Sequence, residues 1–348
     1  MIGAIVLAAL AVTPLPTCSP GETLHYVCGA ERPEDLLAIP GTPFLVSSGF
    51  APGSGLKLVD TRTHRATSWF IGASEQVAPG TAEERGCPGP VNPALFNAQG
   101  LTLRQAAPGR FTLSVVNHGG RESIERFDVL TGGGVPRLRW RGCRLMPPGQ
   151  AGNAVATFAD GTLLVTVLNR PGTTIGDFML GKATGGVWRL RPGDSTFSLI
   201  EGTELPGNNG LETDPDERTF YVVAFGWHSI VVFDRGRTGP VRRIVMPDFM
   251  PDNVHWTAGR LVAAGMRLDE PACGGLRRVV DGVADKMLCH RGYVVSAIDP
   301  AAGTVTTIAY GEPEAAFNGV SSAVISGSEL WLASYQADRL AYRPLPGH

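Results

Sequence analysis

Short apolar runs separated by Gly, Pro and polar turn residues dominate the chain. One arrangement recurs six times: a polar residue or pair, a short alternating strand, a turn and a run rich in β-branched residues. The copies are EDLLAIPGTPFLVSSG from Glu34, QGLTLRQAAPGRFTLSVVNHG from Gln99, NAVATFADGTLLVTVLN from Asn153, NGLETDPDERTFYVVAFG from Asn209, DNVHWTAGRLVAAGM from Asp252 and NGVSSAVISGSELWLASY from Asn318. The equivalent polar residues, Asp35, Gln99, Asn153, Asn209, Asn253 and Asn318, lie 44 to 65 residues apart. This spacing is typical of propeller blades.

Further strand-like runs follow each hairpin, for example SIVVFD from Ser229 and VRRIVM from Val241, which gives four strands per copy. The pattern therefore predicts an all-β fold, a six-bladed β-propeller, as a single domain over residues 21–348. Because the chain after Asn318 holds only three strands, we expect the segment from His25 to Cys28 to complete the last blade and close the ring. A two-sheet sandwich or several small β domains is the alternative, and Asn-Gly at Asn209 and Asn318 is also a turn signal in its own right.

Charge and hydropathy exclude some partners. Lys and Arg number 30 against 32 Asp and Glu, a net charge of −2, so the basic surface that a nucleic-acid binder needs is not expected. The apolar stretch from Ile2 to Val12 is too short for a transmembrane span. It predicts a signal peptide within residues 1–20, and hence a secreted or periplasmic protein. The alternative is a retained apolar arm, which would allow peripheral membrane contact.

The cysteines favour disulfides over a metal site. The chain has 6 Cys, none with zinc-ligand spacing, and with the export signal this indicates an oxidising compartment. Cys273 and Cys289 bracket one insertion, and Cys87 and Cys143 each follow an Arg-Gly pair before a repeat start, so these two pairings are predicted.

The six polar starts predict a cation site. In a propeller the inner strands line the central channel and begin at one mouth, so these residues converge. The set offers carboxylate and amide oxygens without Cys or His, which favours Ca²⁺. His118, in VVNHGG, ends a second strand at the same mouth and is a candidate general base or proton shuttle, or else a solvated turn residue.

Two long insertions leave from second-strand ends and should cover this mouth as lids. They run from Arg170 to Gly186, with apolar Phe178, and from Arg267 to Arg291, whose apolar spacing is compatible with a short helix. An apolar wall above a cation points to a small, mainly apolar ester or lactone. No G-x-S-x-G elbow and no phosphate-binding loop occurs in the sequence.

A family resemblance rests on these residues. The segments ERPEDLLAIPGTPFLVSSG, SVVNHGGRESIERFDV, NNGLETDPDERTFYVV and MPDNVHW resemble the inner-strand segments of calcium-dependent six-bladed propellers of the paraoxonase and arylesterase type, and more loosely gluconolactonases and strictosidine-synthase-like proteins. The resemblance covers residues 30–342 approximately and implies a catalytic calcium bound by Glu34, Asn153, Asn209, Asp252 and Asn253.

At some positions the sequence departs from the family pattern. His118 matches the second histidine of the paraoxonase pair, whereas Gln99 stands at the first. A second, structural calcium would use Asp35 and the carbonyl of Leu101, but Ala154 replaces an expected acidic ligand. Met266 stands where the family has a histidine in the fifth blade.

The predicted function is calcium-dependent hydrolysis of lactones or aryl esters, with Ca²⁺ as Lewis acid and water as nucleophile. The general base is Asp252 or Glu34 from the calcium shell, or His118 acting through Gln99 or a water, and the sequence does not choose among them. The alternatives are a non-catalytic secreted binding module with structural calcium, and a sugar-lactone hydrolase resembling gluconolactonases.

Overall fold

Six four-stranded antiparallel sheets form a ring, so the predicted six-bladed β-propeller is confirmed. The computed structural model describes residues 18–76 and 86–345. Most of the predicted signal segment or arm, residues 1–17, lies outside the described residues. The inner strands of the six sheets contact one another in a closed cycle, which places the first residues of every blade around one central channel.

The first three blades follow the first three sequence copies. Blade 1 contains β2 (Leu36–Ala38), β3 (Phe44–Ser47), β4 (Lys57–Asp60) and β5 (Arg65–Ser68). Blade 2 contains β6 (Ala98–Ala107), β7 (Arg110–Asn117), β8 (Ser123–Leu130) and β9 (Arg137–Leu145). Blade 3 contains β10 (Val155–Thr157), β11 (Leu163–Val167), β12 (Gly186–Leu190) and β13 (Ser198–Leu199).

The last three blades repeat the plan, and the sixth joins the two ends of the chain. Blade 4 contains β14 (Asn208–Thr213), β15 (Thr219–Ala224), β16 (Ser229–Asp234) and β17 (Pro240–Val245). Blade 5 contains β18 (Phe249–Thr257), β19 (Arg260–Arg267), β22 (Tyr293–Asp299) and β23 (Thr304–Gly311). Blade 6 contains β24 (Val320–Ser326), β25 (Glu329–Ser334), β26 (Arg339–Pro344) and the N-terminal β1 (His25–Cys28).

The pairing of β1 with β26 confirms the predicted ring closure. The two strands are antiparallel, with Val27 opposite Leu340. The hydrophobic core lies between neighbouring blades; between blades 6 and 1, for example, fully buried Trp331 belongs to one cluster with Leu36 and Leu45. Alternating strand residues therefore face two neighbours, which is why the apolar runs are short and numerous.

Regular structure outside the sheets is sparse in the described residues. It consists of helix α1 (Ile175–Met179), a small hairpin of β20 (Val279–Val280) and β21 (Val283–Ala284), and single 3-10 turns at Ser74–Gln76, Phe225–Trp227 and Pro271–Cys273. No helix in residues 18–76 and 86–345 is long and apolar enough to cross a membrane.

The two predicted disulfides are present, Cys87–Cys143 and Cys273–Cys289, and a third joins Cys18 to Cys28. Cys18–Cys28 ties the start of the described chain to β1. Three disulfides are typical of proteins that fold in an extracellular or periplasmic compartment.

Candidate functional site

The predicted polar starts of three blades lie on β-bulges in the inner strands. The ladder register shifts across Gln99–Gly100 in β6, Asn209–Gly210 in β14 and Asp252–Asn253 in β18. A bulge adds an unpaired residue and redirects a side chain, here toward the channel mouth. A side chain at Gly100 or Gly210 would lie 2.5 Å from a backbone carbonyl of the next inner strand, that of Asn153 or Asp252 respectively. Asn209–Gly210 is thus part of a strand, and its glycine permits close approach of two blades.

Four of the predicted calcium ligands surround the floor of one cavity. Glu34, Asn153, Asn209 and Asp252, from four different blades, are buried and line it together. Glu34 Oε2, Asn153 Oδ1 and Asn209 Oδ1 are buried with no hydrogen-bond partner in the described structure. Buried acceptors without partners are costly, and hard oxygen atoms from carboxylates and amides are what Ca²⁺ binds. The donor set therefore fits a calcium ion.

The electrostatics of the floor also favour a cation. Burial raises the pKa of Glu34 well above its usual range, and the charges of Asp35 and Asp252 raise it further. Burial raises the pKa of Asp252 to about 7, an effect opposed by a hydrogen bond from Asn209 and reinforced by Asp35. A bound divalent cation offsets such repulsion. No group of three or more His, Cys, Asp and Glu side chains forms a metal site in the described ranges, so amide oxygens are needed to complete this one.

Asn253 lies behind the floor. Its Nδ2 donates to Glu34 Oε1 at 2.9 Å, and its side chain does not line the cavity. In this structure Asn253 therefore orients the Glu34 carboxylate.

Asp35 has both carboxylate oxygens engaged. Oδ1 accepts from the Leu36 amide at 2.8 Å and from His255 Nε2 at 2.8 Å, and Oδ2 accepts from the Leu101 amide at 2.8 Å. The second calcium at Asp35 and Leu101 stays a prediction, and the group that faces Asp35 in this structure is the His255 imidazole from blade 5.

His255 is a buried cation that the sequence reasoning missed. Burial opposes its protonation, but the charge and hydrogen bond of Asp35, with those of Glu212, raise its pKa to about 10. The ring therefore carries a positive charge at neutral pH and joins blade 5 to blades 1 and 4 below the floor. The available signal was its position in MPDNVHW, two residues after Asn253 on the same strand face.

His118 and Gln99 lie at the wall of the cavity and form a hydrogen-bonded chain with Glu122. His118 Nε2 lies 2.6 Å from Gln99 Oε1, and Nδ1 lies 2.8 Å from Glu122 Oε2. The placement of His118 at this mouth agrees with the prediction. Both ring nitrogens are thus engaged within the chain, and Gln99 is the cavity-lining residue that Nε2 contacts.

The two predicted lids both line the cavity. In the first, helix α1 begins with a capping box in which Thr174 and Asp177 exchange side-chain to backbone hydrogen bonds, and buried Phe178 faces the cavity. In the second lid, the prediction of a short helix was wrong, because residues 279–284 form a hairpin. Asp281 and Gly282 both have positive φ, +50° and +77°, which is the Asp-Gly turn that joins two short strands.

Asn318, the sixth polar start, does not line the cavity. Its Oδ1 accepts from the Arg291 amide at 3.0 Å, and its Nδ2 donates to the Met287 carbonyl at 3.2 Å. It therefore fastens the second lid to blade 6, so five of the six blades supply polar starts to the cavity.

The cavity has a volume of ≈1100 Å³ and largely apolar walls from both lids. Buried Met266, which stands where the family resemblance implies histidine, is part of this wall. Asn97 and Asn169 also line the cavity. The walls thus combine apolar surface with a few polar side chains.

No family model and no curated protein matches the chain. Solved structures do. A luciferin-regenerating enzyme is 14% identical over 93% of this chain and 96% of its own, with a TM-score of 0.53. A gluconolactonase-like protein is 14% identical over 95% and 94%, with a TM-score of 0.53. Regucalcin from Agrobacterium tumefaciens, a calcium-binding protein, is 13% identical over 95% and 96%, with a TM-score of 0.51.

The chain has the gluconolactonase- and regucalcin-like propeller fold. This agrees with the looser part of the predicted resemblance. None of these three proteins is described as a paraoxonase, so the paraoxonase-type detail stays a prediction. At such low identity the likeness shows the fold alone.

Proposed function

We propose that this propeller is a calcium-dependent hydrolase of lactones or aryl esters. The observation that carries the proposal is the set of buried oxygens without partners, from Glu34, Asn153 and Asn209, beside Asp252 at the floor of a lidded cavity. Ca²⁺ bound by these residues would supply Lewis acidity toward the substrate carbonyl. Gluconolactonase-like and calcium-binding proteins of the same fold support the same choice.

The chain's own residues would position the reactants. The apolar lids would contact the substrate and reduce its exposure to bulk water, and Asn253 holds the Glu34 carboxylate in place. Since His118 has both nitrogens engaged, we assign proton acceptance from the attacking water to a floor carboxylate, Asp252 or Glu34, and assign His118 the positioning of Gln99.

A sugar lactone is a second candidate substrate. The side chains of Asn97 and Asn169 line the cavity, and their amide groups could hydrogen-bond to substrate hydroxyls, which an alkyl lactone does not offer. The substrate panel should therefore contain γ-butyrolactone, glucono-δ-lactone and phenyl acetate.

The test is to measure hydrolysis of this panel by the purified protein, with proton release as the readout. The assay is run with calcium, with EGTA, and again after calcium is restored. We expect activity to be lost with EGTA and to return with calcium. Asp252→Asn should abolish turnover and weaken calcium binding together, whereas Asp248→Asn, an exposed carboxylate four residues earlier, should change neither. Calcium binding without hydrolysis of any substrate would contradict the hydrolase proposal and favour a binding module.

A further inference from the structure

The second lid places two cationic side chains in a cavity whose floor is acidic. Arg277 and Lys286 both line the cavity. Among the described residues, the acidic ones that line it are Glu34 and Asp252 at the floor, where the proposed calcium would offset them, and Glu122, which is held by His118. The described lining therefore leaves the two lid cations without a counter-charge inside the cavity.

Arg277 has an unused hydrogen-bonding fork. Its Nε donates to the Asp285 carbonyl at 2.9 Å, and its terminal nitrogens have no hydrogen bond or ion pair with the described residues. The neighbouring arginines differ. Arg278 pairs with the Asp285 carboxylate at the surface, and Arg291 donates to the carbonyls of Arg267, Leu268 and Gly275.

Arg277 is partly buried and interacts electrostatically with Tyr335, which also interacts with Asp252 at the floor. Burial lowers the pKa of its guanidinium, so the fold bears a cost for holding this cation in the cavity wall. The phenol of Tyr335 interacts with charges from both the floor and the second lid. Burial and the charge of Asp252 raise its pKa, whereas the charges of Arg277 and Arg291 lower it. The only described partner of the Tyr335 hydroxyl is Met266 Sδ at 4.0 Å.

We propose that the substrate carries a carboxylate that is bound by Arg277, with Tyr335 as a further donor and Lys286 supplying charge at the rim. A guanidinium fork matches a planar carboxylate in a bidentate manner, and the pairing is strongest where water is excluded. The proposal deepens the proposed function, on which its catalytic readout rests: the hydrolysed lactone or ester is anionic, with its carbonyl at the floor and its carboxylate at the second lid.

The test compares γ-carboxy-γ-butyrolactone with the corresponding neutral carboxamide, in calcium, on the full chain. In the wild type, kcat/KM for the carboxylate should exceed that for the carboxamide. Arg277→Gln should lower this ratio by about 10-fold to 100-fold, chiefly through KM. Arg278→Gln removes an adjacent guanidinium that already has a partner and should keep the wild-type ratio. An unchanged ratio in Arg277→Gln, or an equal fall in both variants, would overturn the proposal.

Binding of γ-carboxy-γ-butyrolactone, measured by calorimetry in calcium and in EGTA, separates this proposal from the proposed function. If the wild type hydrolyses neither compound, the hydrolase proposal fails, while weaker binding in Arg277→Gln than in Arg278→Gln still supports the carboxylate site. Equal binding by the two variants overturns the site. If binding is lost only in EGTA and does not depend on Arg277, the carboxylate is bound by calcium, and the Arg277 site is also overturned.

Arg277→Lys keeps the charge without the guanidinium fork. It should lower binding by less than Arg277→Gln does, and it serves as a control in case the glutamine variant misfolds.

Discussion

His118 illustrates how one side chain can act at a distance from the reacting atoms. It touches Gln99 and Glu122 through its two nitrogens and is only slightly exposed, with 14% of its side chain accessible. Removing it frees the Gln99 amide to rotate, but leaves every floor oxygen in place.

We therefore expect His118→Ala to lower kcat by about 10-fold to 100-fold, the usual cost of losing an orienting partner. The calcium dissociation constant should stay within about twofold of the wild type. Added imidazole should restore part of the rate, which a merely structural defect would not show. Steady-state kinetics with a calcium titration measures both quantities, and unchanged turnover would contradict the positioning role.

His228 provides a pH test away from the site. Burial lowers the pKa of His228 from its usual 6.5, and the residue has φ of +47° at the end of the 3-10 turn after β15. In the window from pH 6.5 down to the lowered folded pKa, the unfolded chain binds the proton first. The free energy of unfolding therefore decreases as the pH is lowered through this window. Below the window, the whole His228 contribution to stability is lost.

His228→Asn removes this titration, and Asn tolerates a left-handed backbone. Urea unfolding at pH 5 and pH 7.5 should show the wild type losing more stability than the variant on acidification, after any constant offset is subtracted. An equal loss in the two proteins would show that His228 is not the titrating group.

The sequence was sufficient to predict which residues lie at the cavity floor, but not which side chains contact them or line the lids. Glu34, Asn153, Asn209 and Asp252 could be found because equivalent positions of a propeller converge on one axis. The partners of His255 and the free fork of Arg277 depend on which side chains from other blades and from a lid come into reach. That depends on the closed ring and on the lid's path, neither of which local pattern specifies.

At the scale of elements, the two lids meet through glycines. Gly176 in α1 lies so close to the hairpin that a Cβ there would be 1.8 Å from the Gly282 carbonyl. On its other side, α1 packs against the turn after β15, where a Cβ at Gly226 would be 1.9 Å from the Phe178 carbonyl. The helix is thus held between the hairpin and blade 4 at contact distances that no side chain fits.

Gly176→Ala should separate the lids and open the cavity to water. We expect a fall in kcat/KM and a loss of about 1 to 3 kcal/mol in the free energy of unfolding, typical of overpacking. Gly132→Ala is the control, because nothing lies within 4 Å of its Cβ position and its φ is not positive. Hydrogen exchange in residues 174–180 should increase in the first variant only, and unchanged exchange there would contradict the lid contact.

The second lid shows where periodicity misleads. The spacing of its apolar residues is compatible with a short helix, but Val279–Val280 and Val283–Ala284 flank Asp281–Gly282, and this Asp-Gly turn determines the local structure instead. Lid position was predictable from topology, since insertions after second strands emerge at the mouth where the inner strands begin. The conformation of the second lid depended on the two turn residues, Asp281 and Gly282.

At the scale of the whole molecule, the fold was readable because it repeats. Six weak copies in order predicted the blade number, and the shortage of strands after Asn318 predicted that the N-terminal segment would pair with β26. Weak local similarity was sufficient because each blade must bury two faces against its neighbours, so the same alternation returns six times. What repetition could not predict is how firmly the two chain ends are joined.

The Glu314 carboxylate makes that junction. It accepts hydrogen bonds from the amides of Glu22 and Thr23 at 3.2 and 2.9 Å, from Thr23 Oγ1 at 2.8 Å and from Tyr26 Oη at 3.2 Å. It thereby fixes the N-terminal segment just before β1 enters blade 6.

Glu314→Ala should leave these donors without their acceptor and loosen the closing strand. Hydrogen bonds to a charged group contribute about 1.5 to 3 kcal/mol, so we expect a loss of about 2 to 4 kcal/mol in the free energy of unfolding. Glu312→Ala, two residues earlier, removes a carboxylate that is 72% exposed and whose ion-pair partner in the described structure is Arg267, and should cost less than about 1 kcal/mol. Urea unfolding of both variants, with hydrogen exchange in residues 22–28, measures the difference. Equal costs, or unchanged exchange in β1, would mean that strand pairing and the Cys18–Cys28 disulfide close the ring without Glu314.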